Sequence, residues 1–349
     1  MELTERKRKI LKALIAEYIR TAEPVGSKAL AAMEEIKYSS ATIRNEMSEL
    51  EEMGYLEKTH TSSGRVPSHK GYRLYVDELM TPDTTADIGT ETTALMSLKE
   101  RELDRLIQEA GRLISTLTNY ATVAVTPHMT RTSIRQFELI RVDDNTFVIV
   151  VVTESGQVKN KMVHTAQPVT KEETDLLGYV LNQTLTALPL EQITPERFDI
   201  VGRAAGVSAL LAPVAEYISE LIKELGSQKV FVQGGSKLLG FPEYHDIRKA
   251  QRLLSHMAED AKSLIPTKQE IDGVQIFIGP ENGADPMSDT STIYAKYNIG
   301  SIGQGVIGIV GPTRMDYAAL SAQLSRFAKG LNQLISESFL DEQEKKATT

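Results

Sequence analysis

Residues 38–73 read YSSATIRNEMSELEEMGYLEKTHTSSGRVPSHKGYR. Ser39 or Ser40 can cap a short helix that carries Arg44 and Asn45, and a glycine follows the helix as its stop signal. The next segment is hairpin-like, rich in hydroxyl and basic side chains, and free of carboxylates over its last fourteen residues. A helix followed by a basic two-stranded flap is typical of a winged helix-turn-helix on duplex DNA. The pattern therefore predicts a DNA-binding regulator.

Two further helices are predicted ahead of this stretch. Thr4 is a suitable N-cap for the first, and apolar side chains recur at helical spacing from Ile10 to Ile19. Pro24 breaks the chain, and Gly26 begins the second, shorter helix. Together with the helix described above they form a three-helix module.

The third helix has an apolar inner side and a polar outer side. The residues predicted to point inward are Ile43, Met47, Leu50 and Met53. Its acidic residues, from Glu46 to Glu52, come late, which predicts that the N-terminal half enters the DNA groove and that these carboxylates lie farther away. Side chains of the helix and flap that can reach bases or phosphates are the predicted DNA contacts. They are Ser39, Ser40, Thr42, Arg44, Asn45, Ser48, His60, Ser62, Ser63, Arg65, His69, Lys70 and Arg73.

The charge is divided unevenly along the 349 residues. The whole chain has a net charge of −8, but residues 1–73 hold 13 Lys and Arg against 11 Asp and Glu, a net of +2. The remainder therefore holds 26 against 36, a net of −10. Only the N-terminal part suits a polyanionic partner. A protein–protein module is the alternative for three helices and a hairpin, and the charge division together with the carboxylate-free flap favours DNA binding.

The composition excludes several classes of protein. The chain has no cysteine, so disulfides, thiolate metal sites and cysteine nucleophiles are excluded. No apolar run reaches the roughly 18 residues of a membrane span, and the polar N-terminus is unlike a signal peptide. The expectation is a cytoplasmic protein of two or three domains.

The rest of the chain predicts a multidomain α+β protein. A helical exit from the flap, 74–79, precedes a linker at 81–91 that is rich in Thr, Asp, Pro and Gly. An amphipathic helix, 103–117, then faces either a core or a dimer partner, a choice that the sequence leaves open. A first strand is predicted at 121–126, and a polar tail at 341–349.

Two sets of strands are predicted after that first strand. Three runs in meander order, Ile134–Val142, Thr146–Thr153 and Val158–His164, are followed by helices, one of them with a capping box at Thr170. Short strands return after Gly226, with a helix around His245–Leu264 between the first two. They are Val230–Gln233, Val274–Gly279, Thr292–Tyr297 and Val306–Val310.

Several motifs resemble catalytic sequences but lack the required context. Gly303–Gly308 spells GxGxxG, yet it runs into a strand-like segment instead of opening a helix, so a glycine-rich turn is the prediction. Tyr244–Asp246 lacks a third partner for acid–base work and is predicted to cap a helix. No catalytic residue, metal ligand or cofactor is predicted, and the chain is not expected to be an enzyme. For Arg314 and Asp316 two interpretations remain: a strand-to-helix turn capped by Asp316, or an internal tie or interface contact that couples a sensory domain to dimer geometry.

Two long segments resemble one protein family. SSATIRNEMSELEEMGYLEKTHTSSGRVPSHKGYRLYVDEL, residues 39–79, is similar to the N-terminal signature of the heat-inducible transcription repressor HrcA family. GVIGIVGPTRMDYAAL, Gly305–Leu320, is similar to that family's C-terminal region. The likeness extends along the whole chain.

The resemblance implies an architecture and a function. It implies a winged helix at 1–80, a GAF-like α/β domain at 92–128 and 227–340, and an inserted α+β dimerising domain at 129–226, built from a three-stranded meander and helices. It also implies a homodimeric repressor of chaperone operons that binds an inverted-repeat operator and depends on the GroE chaperonin. The operator contacts would fall on the third helix and on the flap residues.

Two alternatives stay open at this stage. A winged-helix repressor could be switched by a small ligand in the GAF-like domain, because that fold often holds one. A nucleotide-dependent enzyme built on the GxGxxG sequence is the alternative from another class.

Overall fold

A computed structural model describes residues 3–58, 64–80, 95, 98, 103–126, 133–154, 156–206, 208–225, 229–264, 273–283, 285–299 and 303–336. The predicted linker at 81–91 and the tail at 341–349 lie outside the described residues. The same holds for three predicted DNA contacts in the flap, His60, Ser62 and Ser63.

The N-terminal unit contains three helices, a two-stranded sheet and a fourth helix that leads out of it. These elements are α1 (Glu5–Thr21), α2 (Ser27–Ala31), α3 (Ser40–Glu52), β1 (Leu56–Lys58), β2 (Arg65–Pro67) and α4 (His69–Leu74). A π-helical turn, Tyr75–Leu79, follows α4. The side chains of Ile10, Leu14 and Leu30 are fully buried between the first two helices and α3. The predicted three-helix module is confirmed.

The two-stranded sheet is the wing of the unit. β1 and β2 are antiparallel, with Glu57 opposite Val66. Val25 pairs with the free edge of β2 as an isolated β-bridge. Its N–H donates to the carbonyl of Arg65 and its carbonyl accepts from the N–H of Arg65, both at 2.9 Å. The segment around Pro24, predicted only as a break, therefore also supports the wing.

The predicted extent of the wing is wrong. β2 ends at Pro67, and Ser68 caps α4 by accepting a 3.1 Å hydrogen bond from the N–H of Gly71. The predicted flap residues His69, Lys70 and Arg73 consequently lie on a helix and not on the hairpin. The N-capping signal of Ser68 was present in the sequence but was masked by the run of basic residues around it.

A five-stranded antiparallel sheet forms the second unit, in the order β7-β3-β10-β9-β8. Its strands are β3 (Ala121–Val125), β7 (Val230–Gln233), β8 (Val274–Ile278), β9 (Thr290–Ile299) and β10 (Gly303–Pro312). Two helices, α5 (Leu103–Thr118) and α10 (Tyr317–Ile335), pack on one face. The other face meets α9 (Ile247–Glu259), capped by Asp246 as predicted, and the 3₁₀ turn Ala261–Leu264. The single helix predicted over His245–Leu264 is thus two elements.

The whole GxGxxG sequence lies on strand β10, so the predicted glycine-rich turn is wrong, although the predicted strand Val306–Val310 is present. The glycines make room for tyrosine rings. Gly305 is paired with Tyr297 and Gly308 with Tyr294 across β9 and β10. A Cβ at Gly305 would lie 2.1 Å from the ring of Tyr297, and one at Gly308 would lie 2.4 Å from that of Tyr294. The spacing of these glycines therefore reflects packing inside a sheet and not the approach of a pyrophosphate.

A separate three-stranded unit lies between β3 and β7, two strands that are neighbours in the five-stranded sheet. It contains β4 (Ile134–Asp143), β5 (Thr146–Thr153), β6 (Val158–His164), α6 (Lys171–Leu185), α7 (Pro195–Ala205) and α8 (Ser208–Leu225). The meander order β4-β5-β6 and the capping box at Thr170 match the prediction. This unit has its own apolar core, separate from that of the five-stranded unit.

Candidate DNA-binding surface

The outer side of α3 presents three polar side chains. Ile43, Met47 and Leu50 are buried against the rest of the N-terminal unit, as predicted, while Arg44, Asn45 and Ser48 are exposed. Arg44 and Asn45 lie in the first half of the helix, which is the half that a winged helix inserts into the major groove. These two side-chain types form bidentate hydrogen bonds with guanine and adenine, respectively.

The hydroxyl groups at the start of α3 already have partners within the protein. Ser39 caps the helix by accepting a 3.1 Å hydrogen bond from the N–H of Thr42, and the two hydroxyls lie 2.9 Å apart. The hydroxyl of Ser40 lies 3.0 Å from that of Ser27 on α2. Ser39, Ser40 and Thr42 therefore fix the start of α3 and the angle between the two helices of the motif.

Glu46 is an acidic residue of α3 that lies in the interior of the N-terminal unit, a position that the sequence did not indicate. Its side chain is buried, with only 8% of the residue exposed. Its carboxylate lies 2.9 Å from Nε of Arg6 and 3.0 Å from Nζ of Lys7, both on α1. Lys7 also lies 2.7 Å from Glu49, and hydrogen bonds with Glu49 and Glu46 raise the pKa of Lys7. Two carboxylates of α3 are thus neutralised by α1 on the side opposite the exposed Arg44.

Two predicted contacts near the wing have partners inside the N-terminal unit. Nε of Arg65 donates a 2.7 Å hydrogen bond to Glu51 at the end of α3, which holds the wing against that helix. Nζ of Lys70 donates a 2.9 Å hydrogen bond to the carbonyl of Met53 and lies 4.4 Å from the ring centre of Tyr55. The first interaction orients the wing relative to α3, and the second holds α4 against the end of α3.

His69 and Arg73, also predicted as DNA contacts, lie against the five-stranded unit. The ring of His69 is close to Gly279, where a Cβ would lie 2.5 Å from the imidazole Cδ2. Arg73 donates hydrogen bonds to Glu281 and, at 2.7 Å, to the carbonyl of Ile276. The partner residues are about 200 positions away along the chain, so no local sequence signal could have indicated them.

Two exposed lysines beside α3 were absent from the predicted contacts. Lys28 lies on α2, and Lys37 lies in the turn between α2 and α3. In a helix-turn-helix the first helix of the motif crosses the DNA backbone, where cations meet phosphates. Their place in that motif was the available signal, because basic residues that flank a recognition helix are common phosphate contacts.

Asp316 lies at the predicted strand-to-helix turn, and Arg314 makes a contact that crosses between units. Asp316 caps α10 by accepting a 3.1 Å hydrogen bond from the N–H of Ala319. Arg314 donates a 2.7 Å hydrogen bond to Glu243 within the five-stranded unit and a 2.9 Å hydrogen bond to the carbonyl of Ile19 in α1. Arg314 therefore connects the five-stranded unit to the N-terminal unit, while a coupling of this contact to dimer geometry stays a prediction.

Neither a metal cluster nor a membrane span occurs in the described part of the chain. No three His, Cys, Asp or Glu side chains among the described residues are grouped so as to hold a metal ion. None of the described helices is long and apolar enough to cross a membrane.

The three-helix module, its exposed polar recognition helix and its wing define a winged-helix DNA-binding protein. Comparison with protein families agrees. Residues 2–79 match the winged helix-turn-helix transcription repressor, HrcA DNA-binding family, and residues 104–320 match the HrcA protein C-terminal domain. The chain belongs to the HrcA family of heat-inducible transcription repressors, and it is a heat-shock transcriptional repressor.

Relatives match along almost the whole chain. The heat-inducible transcription repressor HrcA of Acetivibrio thermocellus is 35% identical over 346 residues, which cover 97% of this chain and 99% of the relative. That of Clostridium botulinum (strain Alaska E43 / Type E3) is 37% identical over 348 residues, covering 96% and 99%. Among solved structures, the crystal structure of a hypothetical protein is 23% identical with a TM-score of 0.62, covering 97% of this chain and 99% of that one, and it supports the fold.

Proposed function

We propose that this repressor binds an inverted-repeat operator as a homodimer, with one α3 helix in the major groove of each half-site, and so represses chaperone operons in the cytoplasm. The observation that carries the proposal is the exposed set Arg44, Asn45 and Ser48 on a capped helix. The buried Glu46 is paired with α1, so its charge is neutralised on the protein side of the helix. A groove lined by phosphates meets the polar, cationic side of α3.

The side chains have different roles in this proposal. Arg44 reads guanine and Asn45 reads adenine, while Ser48 contacts a base or a phosphate. Lys28 and Lys37 bind the DNA backbone on either side of the reading helix. The wing adds further backbone contacts through His60, Ser62 and Ser63. The remaining predicted contacts, Ser39, Ser40, Thr42, Arg65, His69, Lys70 and Arg73, act mainly by positioning α3, the wing and the N-terminal unit.

Dimerisation is proposed to use the outer face of the three-stranded unit. The central strand β5 reads TFVIVVVT, an almost continuous apolar run of the kind found in strands covered on both faces. Helices α6 to α8 cover one face only. On the other face Ile140, Val148 and Met162 are in register across the three strands, and both Ile140 and Met162 are exposed.

A second copy of the chain is the proposed occupant of that face. Nothing among the described residues covers it, and Val142 and Val158 extend the same apolar surface. An isologous interface brings the same patch of both subunits together, as a two-fold operator requires. The five-stranded unit is the GAF-like domain of this architecture.

The resemblance to the family further suggests that the chaperonin maintains the active repressor. The proposal assigns no contact residue for this partner. Adding purified chaperonin to a DNA-binding assay tests it: an increase in the fraction of active repressor is expected, and an unchanged active fraction would argue against it.

The central experiment is fluorescence anisotropy with an inverted-repeat duplex and a scrambled duplex of the same composition. Wild-type protein should prefer the inverted repeat, and Arg44→Ala should lose about 10- to 100-fold in affinity, which corresponds to ~1–3 kcal/mol for one bidentate base contact. Arg248→Ala is the matched control, because Arg248 is exposed on α9 in another unit. Equal affinity of folded, dimeric wild type for both duplexes, with and without chaperonin, would overturn the proposal.

A further inference from the structure

The N-terminal unit is attached to the five-stranded unit at a surface that we call the domain joint, formed by Arg73, Glu281, Arg314 and Ile19 with Tyr72 and Tyr317 between them. On one side, Nε of Arg73 donates a 2.9 Å hydrogen bond to Oε1 of Glu281. Nη2 of Arg73 donates to Oε2 of Glu281 and to the carbonyl of Ile276. Glu281 is itself held by a 2.9 Å hydrogen bond from the N–H of Ile278. The guanidinium and the carboxylate are therefore fixed in a fork-like pair.

The other side of the joint uses the end of α1. Nη1 of Arg314 donates a 2.9 Å hydrogen bond to the carbonyl of Ile19, which lies in the last turn of that helix. Carbonyls in the last turn lack intrahelical partners, and the negative end of the helix dipole favours a cation there. Glu243 holds the same guanidinium from the five-stranded unit at 2.7 Å.

Aromatic packing fills the space between the two arginines. The rings of Tyr72 and Tyr317 meet edge to face with their centres 5.9 Å apart, and both residues are buried. The hydroxyl of Tyr317 lies 2.8 Å from that of Ser291. The apolar core of the N-terminal unit is continuous with that of the five-stranded unit through this region. The joint is a packed interface and not a contact between mobile surface side chains.

The joint leaves the DNA-reading side chains accessible. Arg44, Asn45 and Ser48 are exposed, and the packing partners of α3 are α1, α2 and β1 of its own unit. Contacts through α1 and α4 therefore fix the direction in which α3 points without covering it. In a dimer, the distance and angle between the two α3 helices are then set by the units that follow the winged helix.

We propose that Arg73 and Arg314, through Glu281 and the carbonyl of Ile19, are the positioning residues that determine which half-site spacing the repressor accepts. This inference rests on the proposed dimeric binding to an inverted repeat. A rigid joint imposes one separation on the two reading helices, whereas a loosened joint allows several. Spacing selectivity, and not half-site affinity, is the property that depends on it.

The test compares three duplexes in anisotropy titrations: the inverted repeat, the same repeat with about five base pairs added between the arms, and a single arm. Five base pairs are roughly half a helical turn, so the second arm faces the opposite side of the DNA. The double variant Glu281→Ala/Arg314→Ala removes the Arg73–Glu281 pair and the bond from Arg314 to the carbonyl of Ile19, and of the hydrogen bonds described for the joint it leaves only that from Arg73 to the carbonyl of Ile276. Its preference for the natural spacing over the altered one should fall about tenfold, while its affinity for a single arm stays within about twofold of wild type.

Two further variants separate the joint from other roles of these residues. Asp77→Ala is the matched control, because Asp77 pairs with Arg73 at 3.1 Å within the same unit and does not cross the joint; it should retain the wild-type preference. Arg73→Ala tests whether this arginine binds DNA directly. A drop in its single-arm affinity that Glu281→Ala does not share would assign Arg73 to DNA and overturn its role in the joint.

Two outcomes distinguish a failure of this inference from a failure of the proposed dimeric function. Circular dichroism and sedimentation establish that each variant is folded and dimeric before the titrations are compared. An unchanged spacing preference in the folded double variant would overturn the inference while leaving the proposed function intact. Wild-type protein that binds the inverted repeat no better than a single arm would instead contradict the proposed dimeric function.

Discussion

Replacing Met162 with glutamate should separate the dimer. Met162 lies on the outer face of β6 opposite Val148, with 55% of its surface exposed in the single chain. Full burial of such a side chain contributes ~1.5–3 kcal/mol, so covering its exposed half contributes about 1 kcal/mol in each protomer. Two-fold symmetry doubles every term, so the loss of both methionine contacts amounts to about 2 kcal/mol.

The introduced carboxylates add to this loss. An unpaired polar group costs about 1–3 kcal/mol when it is buried, and a charged group costs more, so two glutamates add at least ~2 kcal/mol. The total is about 4 kcal/mol, which corresponds to a rise of about a thousandfold in the dimer Kd. Sedimentation velocity over a dilution series measures this constant directly, and operator affinity should fall in parallel.

Control variants decide whether the effect belongs to this face. Met162→Leu keeps an apolar side chain of similar volume and should remain dimeric. Ile247→Glu places the same charge at an apolar residue that is 80% exposed on α9 of the five-stranded unit, outside the proposed interface, and should also remain dimeric. A Met162→Glu dimer with a Kd within threefold of wild type would refute the reasoning. Dissociation of the Ile247→Glu dimer would also refute it, because the effect would then not belong to this face.

Three further predictions concern stability. Ser39→Ala removes the N-cap of α3 and should lower the free energy of unfolding by about 1 kcal/mol in urea, whereas an unchanged midpoint would show that the cap contributes nothing. Gly305→Ala should lower the free energy of unfolding by ~1–3 kcal/mol, because its Cβ would meet the Tyr297 ring. NAD should not raise the melting temperature of the wild type, and stabilisation by NAD would support the nucleotide-dependent enzyme instead. Asp104→Ala should lower the free energy of unfolding by ~1–3 kcal/mol, because the buried Asp104 carboxylate accepts a 2.8 Å hydrogen bond from Gln157 of the three-stranded unit. Proteolysis between the two units should become faster, and an unchanged rate of proteolysis would contradict this prediction.

Local signals in the sequence predicted most of the elements. The capping serine before α3, the three runs that form β4 to β6 and the capping box at Thr170 each depend on residues within a few positions of one another. The strand at Val306–Val310 was predicted because valine and isoleucine follow the first glycines directly, but the predicted glycine-rich turn proved to be part of the same strand. Periodicity and capping are local properties, and they therefore survive in a single sequence.

The features that the sequence did not predict depend on contacts between segments that are distant along the chain. The burial of Glu46 was not predicted, because its partners Arg6 and Lys7 lie on another helix and neutralise it in the interior. Arg73 was assigned to the wing because it ends a run without carboxylates, yet it pairs with Glu281, 208 positions away, as well as with the nearby Asp77. Ion pairs between distant segments leave no periodic trace in the sequence.

The sequence therefore predicted the exposed residues at the centre of the candidate surface, but it did not predict the end of the wing or the flanking lysines. Arg44, Asn45 and Ser48 are exposed on α3, where helical spacing placed them. The wing was extended too far because a capping serine and a basic run occur together at its end. Lys28 was missed because attention to the third helix left out the helix that precedes it in the motif.

The most direct test of the central claim is a nuclease-protection footprint of the repressor on the inverted repeat, with wild type and Arg44→Ala compared at equal protein concentration. The account predicts that both arms become protected together over one concentration range, and that Arg44→Ala loses both arms together. Protection of a single arm, or wild-type protection that extends equally over scrambled DNA, would contradict the account of a dimer that reads its operator through α3.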